Sequence, residues 1–194
     1  MKIIGITGAS GAGKSTLVKL LNLPVVDADK CAREVTEKGH ECLKKLAEVF
    51  GSDILFSDGT LDRKLLARKA FASEEQTALL NAVTHPFIVE IMKKEIEFHH
   101  KNGERATIID APQLFEASLQ NLCDVVIGVI ADFSVRKERI KTRDNIDEET
   151  ALLRINAGKT DDFFKSKCDK IIINNGEIDK LKEEVNKLLK ELEI

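Results

Sequence analysis

The sequence predicts an α/β fold around an open parallel sheet, and two observations carry that reading. Short apolar, β-branched runs alternate with helical segments along the 194 residues. The first run leads straight into the glycine-rich stretch "GITGASGAGKST", in the order strand, loop, helix. "KIIGIT" is the first strand, short and apolar as a strand covered on both faces should be, and "TLVKLLN" follows it as helix. "LPVVDAD" is the second strand, with Pro24 at its entrance and two acids at its C-terminal end. "ATIIDAP", "DVVIGVIA" and "DKIIINN" are strands three to five, each ending in small or polar residues and each followed by a helix. "GEIDKLKEEVNKLLKELEI" closes the chain as an amphipathic helix, with Leu181, Val185, Leu188 and Leu192 on one stripe.

The spacing is uneven. Residues 30–104 contain no convincing strand and read as helices: "KCAREVTEKG", "ECLKKLAEVF", "LDRKLLARKAF", "EEQTALLNAV" and "PFIVEIMKKEIEFHH". "GSDILFSDGT" interrupts them as a turn or irregular connector. The expected organisation is a single domain over 1–194, with a helical acceptor-binding insertion at about 30–104 and a mobile lid at about 144–167. In an open parallel sheet, ligands sit outside the carboxyl ends of the strands. The candidates from that edge are the glycine loop, Asp27 and Asp29 after strand two, and Asp110 after strand three.

Gly8, Gly13, Lys14 and Ser15 fit GxxxxGK[ST], the phosphate-binding loop. Its glycines let successive N–H groups turn inward around an anion, and the helix starting near Lys14 adds its positive end. Lys14 supplies a point charge for the β- and γ-phosphates, and the Ser15 hydroxyl suits Mg²⁺. The chain therefore takes a nucleoside triphosphate, and three classes use such a loop. A GTPase would read guanine through [NT]KxD; "GKTD" at 158–161 has Gly158 where that side chain belongs. A motor-type ATPase places Glu after the Asp of its acidic strand; "IIDAP" has none, and Asp110 serves either the Mg²⁺ hydration shell or a helix cap.

A kinase must align an acceptor hydroxyl with the γ-phosphate, take its proton and exclude water. Asp29 is placed to take that proton; along an extended "DAD" it and Asp27 point to opposite sides, and either could instead cap the helix near Lys30. In "VRKERIKTRD", Arg136, Arg139 and Arg143 share one helix face, aimed at a phosphate cleft or simply solvated. In "THPFIVEI", Pro86 suits a first helical position, which leaves His85 at the cap.

Composition narrows the partners. The hydrophobic fraction is 43% and the formal charge −3, and Tyr and Trp are absent, so neither nucleic acid nor an anionic membrane is an expected partner. No apolar run approaches the roughly 20 residues of a membrane span. The N-terminus is already strand and loop, leaving no room for a signal peptide. Cys31, Cys42, Cys123 and Cys168 form no CxxC or ligand pair and read as reduced thiols of a cytoplasmic protein. The sequence does not indicate an oligomeric state.

Taken together, these segments resemble the dephospho-coenzyme A kinase family over nearly the whole chain. The resemblance runs through "GITGASGAGKST", "VVDADKCAREV", "DGTLDRKLLARKAF", "NAVTHPFIVE", "APQLFEA", "RKERIKTRD" and "IIINNG". The loop alone is widely shared; the Asp-Ala-Asp, Gly-Thr-Leu-Asp-Arg, His-Pro and Asn-Asn-Gly elements in this order are much more specific. The resemblance implies a P-loop NTPase-type sheet of five parallel strands in order 2-3-1-4-5, and transfer of the γ-phosphate of ATP to the ribose 3′-hydroxyl of dephospho-coenzyme A. It implies Asp29 as catalytic base, with Lys14 and Arg139 catalytic. ATP would be held by Gly8, Gly11, Ala12, Gly13, Lys14, Ser15, Thr16, Arg139, Arg143 and Asn175, the last near the adenine, with Mg²⁺ on Ser15. Arg63 and His85 would face the acceptor with Asp29. Two positions depart from the family: Gln113 stands where an apolar residue is common, and Gly158 where glutamine is frequent, with Lys159 a substitute for its lid contact. A kinase of nucleosides or nucleotides is the nearest alternative, and a non-catalytic nucleotide switch the alternative outside the enzymes.

Overall fold

The computed structural model describes residues 1–194 and forms one five-stranded sheet in the order β2-β3-β1-β4-β5. The strands are β1 (Lys2–Gly8), β2 (Val25–Asp27), β3 (Ala106–Asp110), β4 (Val125–Ile130) and β5 (Lys170–Ile173). Central β1 runs parallel to β3 and to β4, with Ile4 opposite Ile108 on one side and Val125 on the other. Paired on both edges and covered on both faces, Ile4 and Ile6 have no solvent exposure, as expected for a parallel sheet whose crossovers put helices on each face.

Met1–Val26 and His99–Ile194 make one compact unit, and Asp27–Phe98 a second. In the first, the sheet is joined by helices α1 (Lys14–Leu21), α6 (Phe133–Asp144), α7 (Glu148–Asn156), α8 (Asp161–Lys167) and α9 (Ile178–Glu191). The expected stripe of α9 is buried against this sheet: Leu181, Val185, Leu188 and Leu192 share a core with Leu17 and Ile127. Cys123 and Cys168 pack against glycines of β1 and β4, where a Cβ on Gly5 or Gly128 would come within 2.7 or 2.8 Å of their sulfurs. All four cysteines are free, and burial raises the thiol pKa to about 11 at Cys31, Cys42 and Cys168 and to about 12 at Cys123. Protonated and enclosed, they are poor nucleophiles.

The second unit holds α2 (Ala28–Glu34), α3 (Glu41–Phe50), α4 (Arg63–Ala70) and most of α5 (Glu74–Lys101), around Val35, Leu46, Phe50, Ile54 and Leu66. The connector at 51–62 is a short 3-10 turn followed by a tight loop closed by a Leu55–Leu61 bridge.

Two local readings change. The extended "DAD" stops after one acid: Asp27 ends β2 and caps α2, its carboxylate accepting from the Lys30 N–H at 3.0 Å, while Asp29 lies in the first helical turn. The two carboxylates are therefore not related by strand alternation. The expected break at Pro86 is absent as well, and α5 is one helix of 28 residues with Pro86 inside it. Pro86 removes one backbone donor, but Leu80, Val83, Phe87 and Ile91 form a single apolar stripe across it and pack on the same core. Tertiary burial outweighs the missing hydrogen bond, and His85 is a mid-helix residue rather than a cap.

Candidate active site

The glycine loop between β1 and α1 borders a cleft of about 1040 Å³, all of whose walls belong to the first unit. Gly11 and Gly13 have φ of 77° and 95°, in the left-handed region, and a Cβ at Gly13 would collide with the Asn174 side-chain amide. The loop is pinned through its carbonyls. Arg136 Nε donates to the Ser10 oxygen at 3.0 Å, and Asn174 Nδ2 to the Ala12 oxygen at 2.8 Å. Arg139 Nη1 spans the oxygens of Asn174, Ala12 and Gly11 at 2.9, 3.3 and 3.5 Å. With its acceptors held from outside, the loop can present N–H groups to an anion. No side chain caps α1, so its first N–H groups add to that donor field.

Lys14 and Ser15 stand at the start of α1 and line the cleft with Thr16. The Lys14 ammonium is ion-paired with Asp110 at the end of β3, their side chains 17% and 22% exposed. Asp110, open between two roles from sequence, is thus the lysine's partner rather than a helix cap. A cation so placed is already oriented, and an incoming phosphate would compete with one carboxylate for it.

Arg139 and Arg143 both line the cleft. Arg143 bonds Asp144 at 2.7 and 2.9 Å, and Asp144 also pairs with Arg154 of α7. These guanidiniums hold the Asp144 carboxyl below the usual carboxylate range. Asn175 does not line the cleft; its Oδ1 accepts from the Asp132 N–H at 2.8 Å and so steadies the start of α6. Its buried neighbour Asn174 and Gly176 line the cleft instead. Gln113 and Gly158, the two departures from the family pattern, both border this cleft, as does Lys159, whose ammonium is 3.5 Å from Glu116.

The acceptor-side candidates belong to the second unit. Asp29 is solvent-exposed in the first turn of α2, with the cap supplied by Asp27. Arg63 opens α4 and reaches 3.5 Å from the Arg33 carbonyl. His85 is half-buried in α5, and desolvation lowers its pKa, favouring neutral imidazole.

Sequence reasoning missed Asn174 and the roles of Arg136 and Asp161. A polar residue directly after an apolar strand, at the carboxyl edge of the sheet, was the available signal for Asn174. Spacing placed Arg136 on a shared helix face, but nothing local marks its partners, which lie 126 and 25 residues away.

Comparison with known proteins decides the family. A model of the dephospho-CoA kinase family matches residues 2–180. The chain belongs to that family. The dephospho-CoA kinase of Corynebacterium glutamicum is 42% identical over 192 residues, which cover 97% of this chain and 96% of that one. The dephospho-CoA kinase of Bacillus cereus is 38% identical over 195 residues, covering 99% and 98%. A solved structure from Thermus thermophilus superposes with a TM-score of 0.81 at 28% identity, covering 98% of this chain and 97% of that one. The dephospho-CoA kinase structure from Campylobacter jejuni gives 0.70 at 25% identity, covering 98% and 96%. A shikimate kinase from Bacteroides thetaiotaomicron, at 14% identity and a TM-score of 0.50, shares the fold alone. Family membership makes this chain an ATP-dependent kinase acting on dephospho-CoA in coenzyme A biosynthesis.

Proposed function

We propose that the chain transfers the γ-phosphoryl group of ATP to the ribose 3′-hydroxyl of dephospho-coenzyme A, giving coenzyme A in the last step of its synthesis. The observation that carries this is the loop itself: carbonyls tied back, an uncapped helix start and an oriented lysine, in a chain of this kinase family. The loop N–H groups and Lys14 receive the phosphates and spread the charge that develops on transfer. Asp29 orients the acceptor hydroxyl and takes its proton, with Arg63 and His85 contributing to acceptor binding. The lid at about 144–167, which carries α7 and α8, excludes water from the cleft.

Mg²⁺ is part of the proposal. No group of three His, Cys, Asp or Glu side chains could hold a metal by itself. The cleft offers the Ser15 hydroxyl, with the Asp110 carboxylate paired to the Lys14 that lines it, oxygen donors that suit a hard cation arriving on a triphosphate and keeping its waters. Ser15 would hold the ion directly and Asp110 one of its waters; once bound, the ion would neutralise charge on the β- and γ-phosphates. A cytoplasmic setting is supported by the four free thiols, and no helix is long and apolar enough to cross a membrane.

ADP release tests the acceptor. Dephospho-coenzyme A should support turnover far above adenosine, uridine and AMP; equal rates with a nucleoside would favour the nucleoside-kinase reading. Arg139→Lys should lower kcat by about tenfold or more, because an ammonium cannot span the Gly11, Ala12 and Asn174 oxygens as the guanidinium does. Steady-state kinetics with a melting curve checks this, and unchanged kcat in a folded variant would remove Arg139 from the machinery.

A further inference from the structure

Spacing left Arg136 between a phosphate-facing and a solvated helix face; its side chain is 7% exposed, and its hydrogen bonds join two segments bordering the cleft. Nε donates to the Ser10 carbonyl at 3.0 Å, and Nη1 to Asp161 Oδ1 at 3.2 Å. At the first contact the loop rests directly on α6: a Cβ on Gly11 would lie 2.8 Å from the Arg136 carbonyl oxygen and 2.9 Å from Ile140 Cγ1. At the second, Asp161 opens α8, whose cap is Thr160; Lys159 just before the helix and Phe164 within it line the cleft. A buried guanidinium is tolerated only when its charge is paired and its donors are used. Asp161 supplies the charge, and the phosphate loop takes a donor.

We propose that Arg136 is a positioning residue for the nucleotide. It holds the Ser10 carbonyl turned out of the phosphate cradle and, through Asp161, fixes the start of α8 to the same loop. Arg139 does the equivalent for Gly11 and Ala12, so the two arginines one turn apart on α6 together secure three successive loop carbonyls. This rests on the nucleotide site proposed above.

The test is ATP binding by calorimetry and steady-state kinetics on the full chain. In R136Q the Kd and KM for ATP should rise about tenfold, the scale of one charge-assisted hydrogen bond. KM for dephospho-coenzyme A should stay within about twofold, since only the nucleotide cradle is disturbed. R136K should recover part of the loss, because an ammonium reaches one partner but not both. D161N leaves the Ser10 bond in place and should weaken ATP by only about threefold, and R136Q/D161N should match R136Q alone, as expected for residues acting as one unit. A folded R136Q that binds ATP like the unaltered chain would reduce Arg136 to a structural contact and overturn the proposal. Equal rises in both KM values would overturn it too. If R136Q does not fold, R136K and D161N decide, and normal ATP binding in both is the contrary result. An unaltered chain that fails to bind ATP contradicts the nucleotide site itself; normal binding there with indifferent variants contradicts only the role of Arg136.

Discussion

Replacing Lys14 with alanine should lower turnover by about 10²-fold or more, the scale of losing a preorganised electrostatic donor in a closed site. The structure gives two reasons for a large effect. Arg139, another cation bordering the cleft, is committed to the carbonyls of Gly11, Ala12 and Asn174. In addition, Lys14→Ala leaves the Asp110 carboxylate, only 22% exposed, without its counter-ion beside incoming phosphates. That second contribution is separable. Lys14→Ala/Asp110→Asn should bind ATP more tightly than Lys14→Ala while remaining slow in turnover, a non-additive pair of the kind expected for contacting charges. Single-turnover kinetics and calorimetry distinguish the two, and near-normal turnover in folded Lys14→Ala would remove the lysine from the chemistry.

Asp29→Asn should reduce kcat by roughly 10²-fold, toward the low end of general-base contributions because a loose transition state asks little of a base. ATP affinity should change little. Asparagine keeps the shape but cannot take a proton at neutral pH. Asp27 provides a sharp contrast, because its carboxylate accepts from the Lys30 N–H as the cap of α2 and asparagine caps about as well. Asp27→Asn should therefore leave folding intact. Had Asp29 been the cap, its loss would have been read in the melting curve; with the cap on Asp27, a kinetic defect at Asp29 points to chemistry. Wild-type kcat in Asp29→Asn would send the search for the proton acceptor elsewhere.

What sequence disclosed and what it hid follow from range. The strand–loop–helix order, the alternation of runs and the α9 stripe are local patterns of period two or 3.6, so the sheet and its helices were readable, and the family motifs identified the kinase and its strand order. The end of β2 was misread because Val25 and Val26 favour strand while the Asp27 cap already starts α2, a competition one residue wide. The break at Pro86 was misread for the opposite reason: a local breaker was overruled by an apolar stripe that packs on a core. In the site, Lys14 and Ser15 belong to a motif. The Lys14–Asp110 pair and the Arg136 and Asn174 contacts to the loop span 96, 126 and 162 residues, and periodicity carries no information at that separation.

The central claim is that the phosphoryl group goes to the ribose 3′-hydroxyl of dephospho-coenzyme A. The direct measurement is ³¹P NMR of the product formed from ATP, with proton coupling assigning the new monoester and the 3′-deoxy analogue of the acceptor run in parallel. The account predicts a single new phosphomonoester coupled to the ribose 3′ proton, and no ADP release above background with the 3′-deoxy analogue. A phosphoryl group on another oxygen, or turnover of the 3′-deoxy acceptor at the normal rate, would contradict it.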